Sequence, residues 1–258
     1  MISGPSITRC DLDALYQQYN RRERVHPDPL VFLYSYADIR DREIAGLLAS
    51  SLAYGRVAQI YKSLSCVLEK MGPSPLSFLN QSTHQSLTAA YGGFSHRFST
   101  GRNLVNLMLA IKDVLARYGS IHGCFLSGMG SEDDTVLPAL TRFVAVFTAG
   151  NARELGHLIP LPERGSACKR LNLFLRWMVR RDDVDPGGWD RVPASKLIIP
   201  LDVHMHRIGI RLGFTRRKQA DMRTALEITR AFSRMIPEDP LRYDFTLCRM
   251  GMNGVSIS

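Results

Sequence analysis

Two segments in the second half of the chain carry residue types that could do chemistry. In the first, Pro160 to Trp177, a turn rich in proline, glycine and serine leads directly into an amphipathic helix. Backbone N–H groups at such a helix start have no intrahelical partner and attract phosphate, and Arg164, Lys169 and Arg170 add positive charge there. The segment predicts a phosphate-binding turn, although an ordinary loop-to-helix junction with solvated basic side chains would have the same pattern.

The second segment, Lys196 to Gly213, places Asp202 after an apolar run and a proline, at the start of a helix. A carboxylate at this position caps the free N–H groups of the helix, which requires no catalytic role. The same position also holds the carboxylate rigidly beside a hydrophobic wall, as a catalytic group requires. The residues alone therefore leave Asp202 open as a cap or as a catalytic group.

Together the two segments resemble the helix-hairpin-helix (HhH-GPD) superfamily of DNA glycosylases and AP lyases. Gly165-Ser-Ala-Cys-Lys169 is similar to the Gly-x-Gly-x-Lys hairpin of that superfamily, and Ile199-Pro-Leu-Asp-Val-His-Met205 is similar to the Val-Asp-Val-His run of its 8-oxoguanine glycosylases. The 33 residues from Lys169 to Asp202 resemble the spacing in the archaeal 8-oxoguanine branch. The chain also resembles a family of uncharacterised bacterial proteins (DUF2400).

The resemblance implies a catalytic pair. Lys169 would attack the sugar C1′ as a neutral amine, expel the base and form a Schiff base, which then permits strand cleavage by β-elimination. Asp202 would stabilise the oxocarbenium-like sugar and help to move protons. Neither a metal nor another cofactor is required for this chemistry, and the favoured substrate is an oxidised purine such as 8-oxoguanine in double-stranded DNA.

The resemblance also implies DNA contacts around the pair. A base inside a duplex is unreachable, so such an enzyme flips it out. Glu43–Val57 resembles the helix that ends at the DNA-probing loop, and Asp239–Gly251 resembles a C-terminal helix packed under the site. Tyr54 and Arg56 lie at the end of this segment, where the resemblance implies that they probe the DNA. Two alternatives stay open, namely packing of Tyr54 in the core and contact of Arg56 with a phosphate. The implied DNA-binding residues are Arg164, Gly165, Ser166, Ala167, Arg170, His204, Tyr54 and Arg56.

Three positions depart from the superfamily pattern. Ala167 stands in place of the second hairpin glycine, the loop Ser51–Arg56 lacks the Asn or Gln that fills the space of the flipped base, and Leu173 replaces a base-contacting cysteine. These departures affect the substrate more than the fold. They also keep open a non-catalytic DNA-binding protein of the same fold.

Other interpretations remain. Lys196 lies closer to Asp202 in sequence than Lys169 does, but it precedes an apolar run rather than following a hairpin. Asp202, His204 and His206 form a D-x-H-x-H pattern that could suggest a metal site, yet on a helix His204 points away from the other two. A helical protein–protein scaffold is a third alternative, and it predicts no DNA affinity at low salt.

The overall composition is compatible with a nucleic-acid partner. The 258 residues carry a formal net charge of +9, which attracts polyanions, although a merely soluble basic protein would carry the same charge. Fourteen Lys and Arg against seven Asp and Glu lie between Asn151 and Lys218. The resemblance makes the expected partner double-stranded DNA that contains a damaged base or an abasic site.

The cysteine pattern and the hydropathy indicate the compartment. The five cysteines are odd in number and form no CxxC pair, which argues against a disulfide framework, a zinc ribbon or an iron–sulfur cluster. The first residues contain no apolar run typical of a secretion signal, and the longest apolar runs are too short to span a bilayer. We expect a cytoplasmic monomer that is not bound to a membrane.

The elements that must position these residues are helical nearly throughout. The apolar periodicity predicts an all-α, two-lobed HhH-GPD-like fold of roughly ten or more helices, with one doubtful strand at Leu197–Ile199. The predicted lobes are residues 38–180, ending in the helix with Lys169, and residues 1–37 plus 181–258, carrying Asp202, with a linker at Asp182–Pro193. The predicted helices are Asp11–Arg24, Asp41–Tyr54, Val57–Lys70, Arg102–Tyr118, Ile121–Leu126, Thr135–Thr148, Cys168–Arg180, Val203–Leu212, Gln219–Met235 and Leu241–Met250.

Overall fold

The computed structural model describes residues 7–149 and 152–252 and divides the chain into two compact units. Unit 2 is Val25–Leu161, and unit 1 combines the described residues before Val25 with those after Leu161. Across the described ranges, thirteen α-helices and four short 3-10 helices accompany a single two-stranded sheet. The predicted all-α fold class is confirmed.

The helices are numbered in chain order. Unit 1 contains α1 (Arg9–Tyr19), α10 (Lys169–Val179), α11 (Val203–Arg211), α12 (Met222–Met235) and α13 (Asp244–Met252). Unit 2 contains α2 (Ile39–Leu52), α3 (Val57–Met71), α4 (Pro75–Gln81), α5 (His84–Tyr91), the strands β1 (Ser95–His96) and β2 (Ser99–Thr100), α6 (Gly101–Tyr118), α7 (Ile121–Ser127), α8 (Leu137–Thr148) and α9 (Ala152–Leu155). The 3-10 helices are Arg22–Arg24, Pro29–Ser35, Pro162–Arg164 and Ala194–Lys196.

Unit 2 packs its longest helix, α6, in the core. Thr100 caps α6 by accepting from the N–H of Asn103, and the left-handed Gly119 ends it. The fully buried Glu43 on α2 fixes the next helix, because its carboxylate accepts from the N–H groups of Ile121 (2.8 Å) and His122 (3.0 Å) at the start of α7. A buried charge held by two backbone donors thus sets the position of α7 against α2.

Unit 1 is organised around α10, in which every residue from Leu171 to Met178 is buried. The segment Asp182–Pro193 packs onto this helix. The N–H of Trp189 donates to the carbonyl of Met178 (2.8 Å), and the buried Trp189 ring meets Phe174 edge-on at 5.2 Å. The linker prediction for this segment is therefore wrong, because two apolar side chains, Val184 and Trp189, anchor it inside unit 1.

The observed division of the chain also differs from the predicted lobes. The predicted boundary after residue 180 separated Lys169 from Asp202, whereas unit 1 contains both residues. The chain enters the second part of unit 1 at Pro162, before the hairpin, so the hairpin and α10 belong with α11 to α13. The two candidate residues thus share one core.

The doubtful strand at Leu197–Ile199 does not form. These residues are buried without regular structure, and the N–H of Ile199 donates to the Thr229 hydroxyl of α12 at 3.0 Å instead of to a strand. None of the helices in the described ranges has the length and apolar character needed to cross a lipid bilayer.

Candidate functional site

The hairpin before α10 is tied to the start of α12. Gly165 adopts a φ of 73°, its carbonyl accepts from the N–H of Met222 at 3.2 Å, and Ser166 forms a β-bridge with Asp221. Asp221 in turn caps α12 through the N–H of Thr224. The exposed tip of the hairpin, Gly165–Ser166, is thereby fixed to a second helix.

The residues that lead into α10 adopt an unusual backbone. Cys168 precedes the helix in the left-handed region (φ 46°), which side-chain-bearing residues seldom adopt. Its N–H donates to the Ser166 hydroxyl (3.2 Å), and the buried Asn172 amide donates to the Ala167 carbonyl (3.0 Å). Within the described chain no side chain caps α10 through a hydrogen bond, and the start of a helix attracts anions.

The structure brings the predicted catalytic residues together. Lys169 is the first residue of α10, and Asp202 is the residue that caps α11. The Asp202 Oδ1 atom accepts from the N–H groups of His204 (2.9 Å) and Met205 (2.8 Å), and Oδ2 lies 3.5 Å from the Lys169 Nζ atom. One carboxylate oxygen therefore orients the group, and the other faces the amine.

Both side chains of the pair reach solvent. The Lys169 side chain is 39% exposed and that of Asp202 is 21% exposed. A substrate atom can therefore approach the amine, while the cap bonds prevent the carboxylate from rotating away. The arrangement provides a nitrogen nucleophile with an adjacent proton acceptor, which is the minimum for imine chemistry.

The other predicted residues of unit 1 lie on the hairpin and in the first turns of α10 and α11. Arg164, Gly165 and Ser166 are exposed on the hairpin, Arg170 is half-buried beside Lys169, and Ala167 is buried under the turn. His204 is half-buried in the first turn of α11, where α13 packs at Gly251; a Cβ placed there would lie 3.4 Å from the His204 Cβ. The hairpin, Arg170 and His204 thus belong to the same unit as the pair, and their DNA contacts stay predictions.

Tyr54 and Arg56 belong to unit 2, in the loop between α2 and α3. The Tyr54 hydroxyl lies 2.7 Å from the Ser99 hydroxyl and 3.0 Å from the His96 carbonyl, and its ring packs edge-on against the His96 ring. Arg56 is exposed at the start of α3. Tyr54 therefore joins this loop to the β1–β2 hairpin, as in the core-packing alternative, and its DNA contact stays a prediction.

A buried charged cluster that the sequence analysis missed lies behind the pair. Arg176 on α10 donates to Asp244 (2.6 Å) and Asp185 (3.1 Å). Arg180 contacts Asp185, Asp239 and Asp182. We refer to these six residues as the buried ion cluster: Arg176, Arg180, Asp182, Asp185, Asp239 and Asp244.

Four carboxyl groups face two guanidinium groups in this cluster, so the cluster holds excess negative charge when all are ionised. Burial raises the pKa of Asp185 to about 6, although Arg176 and Arg180 oppose the shift. Burial also raises the pKa of Asp244, to which the nearby charge of Asp202 adds. For Arg180, burial lowers the pKa but the surrounding carboxylates outweigh it, so its pKa lies well above the ordinary value.

The helix α13 connects the cluster to the Lys169–Asp202 pair. Cys248 lies one turn after Asp244, and its Sγ donates to the Asp244 carboxylate at 3.8 Å. Burial, with the charges of Asp244 and Asp202, raises the pKa of the Cys248 thiol well above its usual range. This cysteine is therefore a neutral thiol beside the pair rather than a second nucleophile.

The alternatives to the Lys169–Asp202 pair have different surroundings. Lys196 ends the 3-10 helix Ala194–Lys196, and the ion pair with Asp202 is made by Lys169. The His206 Nε2 atom lies 2.9 Å from the Arg217 carbonyl, which can only accept, so this nitrogen carries a hydrogen. In the described ranges no group of three or more His, Cys, Asp or Glu could hold a metal ion.

The structure also contains a cavity of about 390 Å³ in unit 2, between α6, α8 and α9. Its lining includes Asp113 and Arg117 of α6, Phe147 of α8 and Glu154 of α9. It contains none of the residues that the sequence analysis assigned to the site.

The comparisons with known proteins place the chain in a family. The model of the family described as "Protein of unknown function (DUF2400)" matches residues 28–253, which is most of the chain. Searches of curated proteins and of solved structures returned no match. The matched range includes Lys169 and Asp202, the loop of Tyr54 and Arg56, and the buried ion cluster. The chain belongs to the DUF2400 family.

Proposed function

We propose that this protein is a DNA glycosylase with associated AP lyase activity that removes a damaged base, with an oxidised purine such as 8-oxoguanine as the favoured substrate. The observation that carries the proposal is the 3.5 Å approach of the Lys169 amine to the Asp202 carboxylate. The pair joins residues 33 positions apart, on two helices, at a basic hairpin whose pattern is similar to that of the HhH-GPD superfamily.

In the proposed reaction, the neutral amine of Lys169 bonds to C1′ of the damaged nucleotide. The bond from C1′ to the base nitrogen breaks, its electron pair leaves on the base, and the base takes up the proton that the amine loses. Opening of the sugar ring at O4′ then gives the iminium form of the Schiff base. Asp202 stabilises the positive charge that develops at C1′ and accepts or returns protons through Oδ2, while Oδ1 keeps its cap bonds.

The hairpin supports DNA binding in this proposal. Gly165 and Ser166 are exposed at the tip of the hairpin, Arg164 adds charge, and the first turn of α10, which no described side chain caps, attracts an anion. Of the fourteen cations between Asn151 and Lys218, the buried ion cluster uses two, and it also uses two of the seven carboxylates in that range. The cluster therefore leaves the basic surplus of this region unchanged, and a surplus of positive charge attracts phosphates.

The experiment that tests the proposal is trapping with borohydride, which reduces the iminium to a stable amine. The native chain is incubated with duplexes that contain 8-oxoguanine, uracil or an abasic site, and covalent adducts are resolved by gel electrophoresis. We expect an adduct with the abasic duplex and with one damaged base. We expect Lys169→Gln to reduce the adduct by at least about a hundredfold, and Lys196→Gln to leave it unchanged.

A non-catalytic DNA-binding protein of the same fold is the second candidate. The observations that favour it are the 39% exposure of the Lys169 side chain and Ala167 in place of the second hairpin glycine. A protein of this kind would bind duplex DNA in a strongly salt-dependent way and would give no adduct with any of the three duplexes.

A further inference from the structure

An exposed aromatic side chain stands at the tip of the β1–β2 hairpin in unit 2. Ser95 pairs with Thr100 and His96 with Ser99, so Arg97 and Phe98 are the two residues of the turn. Phe98 is 67% exposed, which makes it the most exposed large hydrophobic residue of the described chain. A phenylalanine contributes little to the stability of the fold from this position, because most of its side chain is in water.

The backbone of the turn is strained at the residue before Phe98. Arg97 has a φ of 52°, a conformation that two-residue hairpins usually give to Gly, Asn or Asp. Strained residues of this kind persist where the surrounding structure holds them, and they concentrate at functional sites. The strain sets how the turn presents Phe98.

A buried polar network holds the hairpin rigidly. His96 is 1% exposed, and its Nε2 atom lies 3.0 Å from the Tyr54 carbonyl, which can only accept, so Nε2 carries a hydrogen. Its Nδ1 atom lies 2.9 Å from the Ser63 hydroxyl of α3. The Tyr54 hydroxyl binds back to the hairpin at Ser99. Both strands are therefore fixed to the α2–α3 loop and to α3.

The same loop brings positive charge to the tip. Gly55 (φ 98°) lies so close to Arg97 that a Cβ at this position would be 2.6 Å from the Arg97 Cδ atom, and the exposed Arg56 follows directly. The Arg97 guanidinium carbon lies 5.4 Å from the centre of the Phe98 ring, and the His157 ring lies 5.6 Å from it. An exposed ring beside cations is the combination that binds stacked bases together with their phosphates.

We propose that Phe98 stacks against an unpaired DNA base, with Arg97 on the adjacent phosphate. This inference rests on the proposed function for its DNA substrate. It assigns the stacking role to Phe98 and gives Tyr54 a supporting role, because the Tyr54 hydroxyl and ring are already engaged with the hairpin.

The test measures DNA binding by the full chain. Fluorescence anisotropy reports the binding of two labelled duplexes of the same sequence. One duplex is intact, and the other carries a tetrahydrofuran abasic analogue. The variants are Phe98→Ala, Phe98→Trp, which keeps an aromatic face, and the control Ile210→Ala, which removes an exposed apolar side chain of unit 1. Circular dichroism verifies that each variant is folded.

We expect Phe98→Ala to weaken binding of the abasic duplex about tenfold, with a smaller loss on the intact duplex. We expect Phe98→Trp and Ile210→Ala to bind like the native chain. Binding of the abasic duplex by Phe98→Ala at native affinity would overturn the inference and leave the catalytic proposal untouched. Failure of the native chain to bind either duplex at low salt would overturn both. A tenfold loss in a chain that gives no borohydride adduct would support the stacking role and contradict the catalysis.

Discussion

The two units of this protein support their exposed candidate groups with different kinds of buried interaction. Lys169 and Asp202 in unit 1 are supported by two arginines and four aspartates, whereas the hairpin that carries Phe98 in unit 2 is supported by an imidazole, three hydroxyls and a backbone carbonyl. Buried ions tolerate the loss of a partner poorly, since the remaining charge stays desolvated. The amine and carboxylate of unit 1 therefore depend on a charged framework, whereas the hairpin of unit 2 depends on hydrogen-bond geometry.

The largest expected effect on stability comes from breaking the buried ion cluster. Arg176→Met leaves Asp185 and Asp244 without this guanidinium partner, so we expect the free energy of unfolding of unit 1 to fall by about 3–5 kcal/mol. Urea denaturation followed by tryptophan fluorescence measures it, because both tryptophans of the chain, Trp177 and Trp189, are buried in unit 1.

The matched control is Arg181→Ala, next to the cluster in sequence. Arg181 and its partner Asp190 are 67% and 81% exposed and 4.0 Å apart, so we expect a change within about 0.5 kcal/mol. If the two substitutions lowered the free energy of unfolding equally, the buried cluster would contribute no more to the stability of unit 1 than a surface ion pair does.

A smaller effect should appear as pH dependence in unit 1. Burial raises the pKa of Asp185 from 3.8 to about 6, so the folded state binds this proton more tightly than the unfolded state. The associated stability is present below about pH 4 and is lost as the pH rises through 6, with an upper limit of about 3 kcal/mol. Asp185→Asn removes the group, so we expect a smaller decline between about pH 4 and pH 7 than in the native chain, measured by the same denaturation.

The exposed Asp190 provides the control for this pH series, because Asp190→Asn should keep the native decline. Parallel curves for the native chain and Asp185→Asn would contradict the account of the cluster as a site of excess negative charge.

The smallest expected effect on stability separates the two roles of Asp202. Asparagine caps helices about as well as aspartate, so Asp202→Asn should change the free energy of unfolding by less than about 0.5 kcal/mol, whereas Asp202→Ala should cost about 1 kcal/mol. Both should reduce borohydride trapping by at least about a hundredfold. Trapping by Asp202→Asn at the native level would show that Asp202 acts only as a helix cap.

Strong periodicity made most of the helices predictable. Arg102–Tyr118 was predicted and α6 spans Gly101–Tyr118, because its apolar stripe is regular and Gly119 ends it. The helices α4 and α5 were missed. A proline usually ends a helix, but Pro75 occupies the first turn of α4 after the capping Ser74, where the N–H that proline lacks would have no partner within the helix.

The site was predictable only in part. The approach of Lys169 to Asp202 followed from similarity to known motifs, since no spacing rule brings residues 33 positions apart together. The buried ion cluster depends on tertiary packing, and its residues Asp182 and Asp185 lie in the segment that was predicted to be a linker. One signal was present in the sequence: Arg176 lies among apolar residues on α10, where an ordinary surface arginine would not be.

The most direct test of the proposed role of Lys169 and Asp202 is peptide mapping of the borohydride adduct by mass spectrometry, with the native chain and an abasic duplex. We expect the peptide that contains Lys169 to carry the reduced sugar in the native chain, and the corresponding peptide of Lys169→Gln to carry none. An adduct on Lys196 or on another amine, or no adduct in a chain that binds the duplex, would contradict the assignment of Lys169 and Asp202 as a catalytic pair.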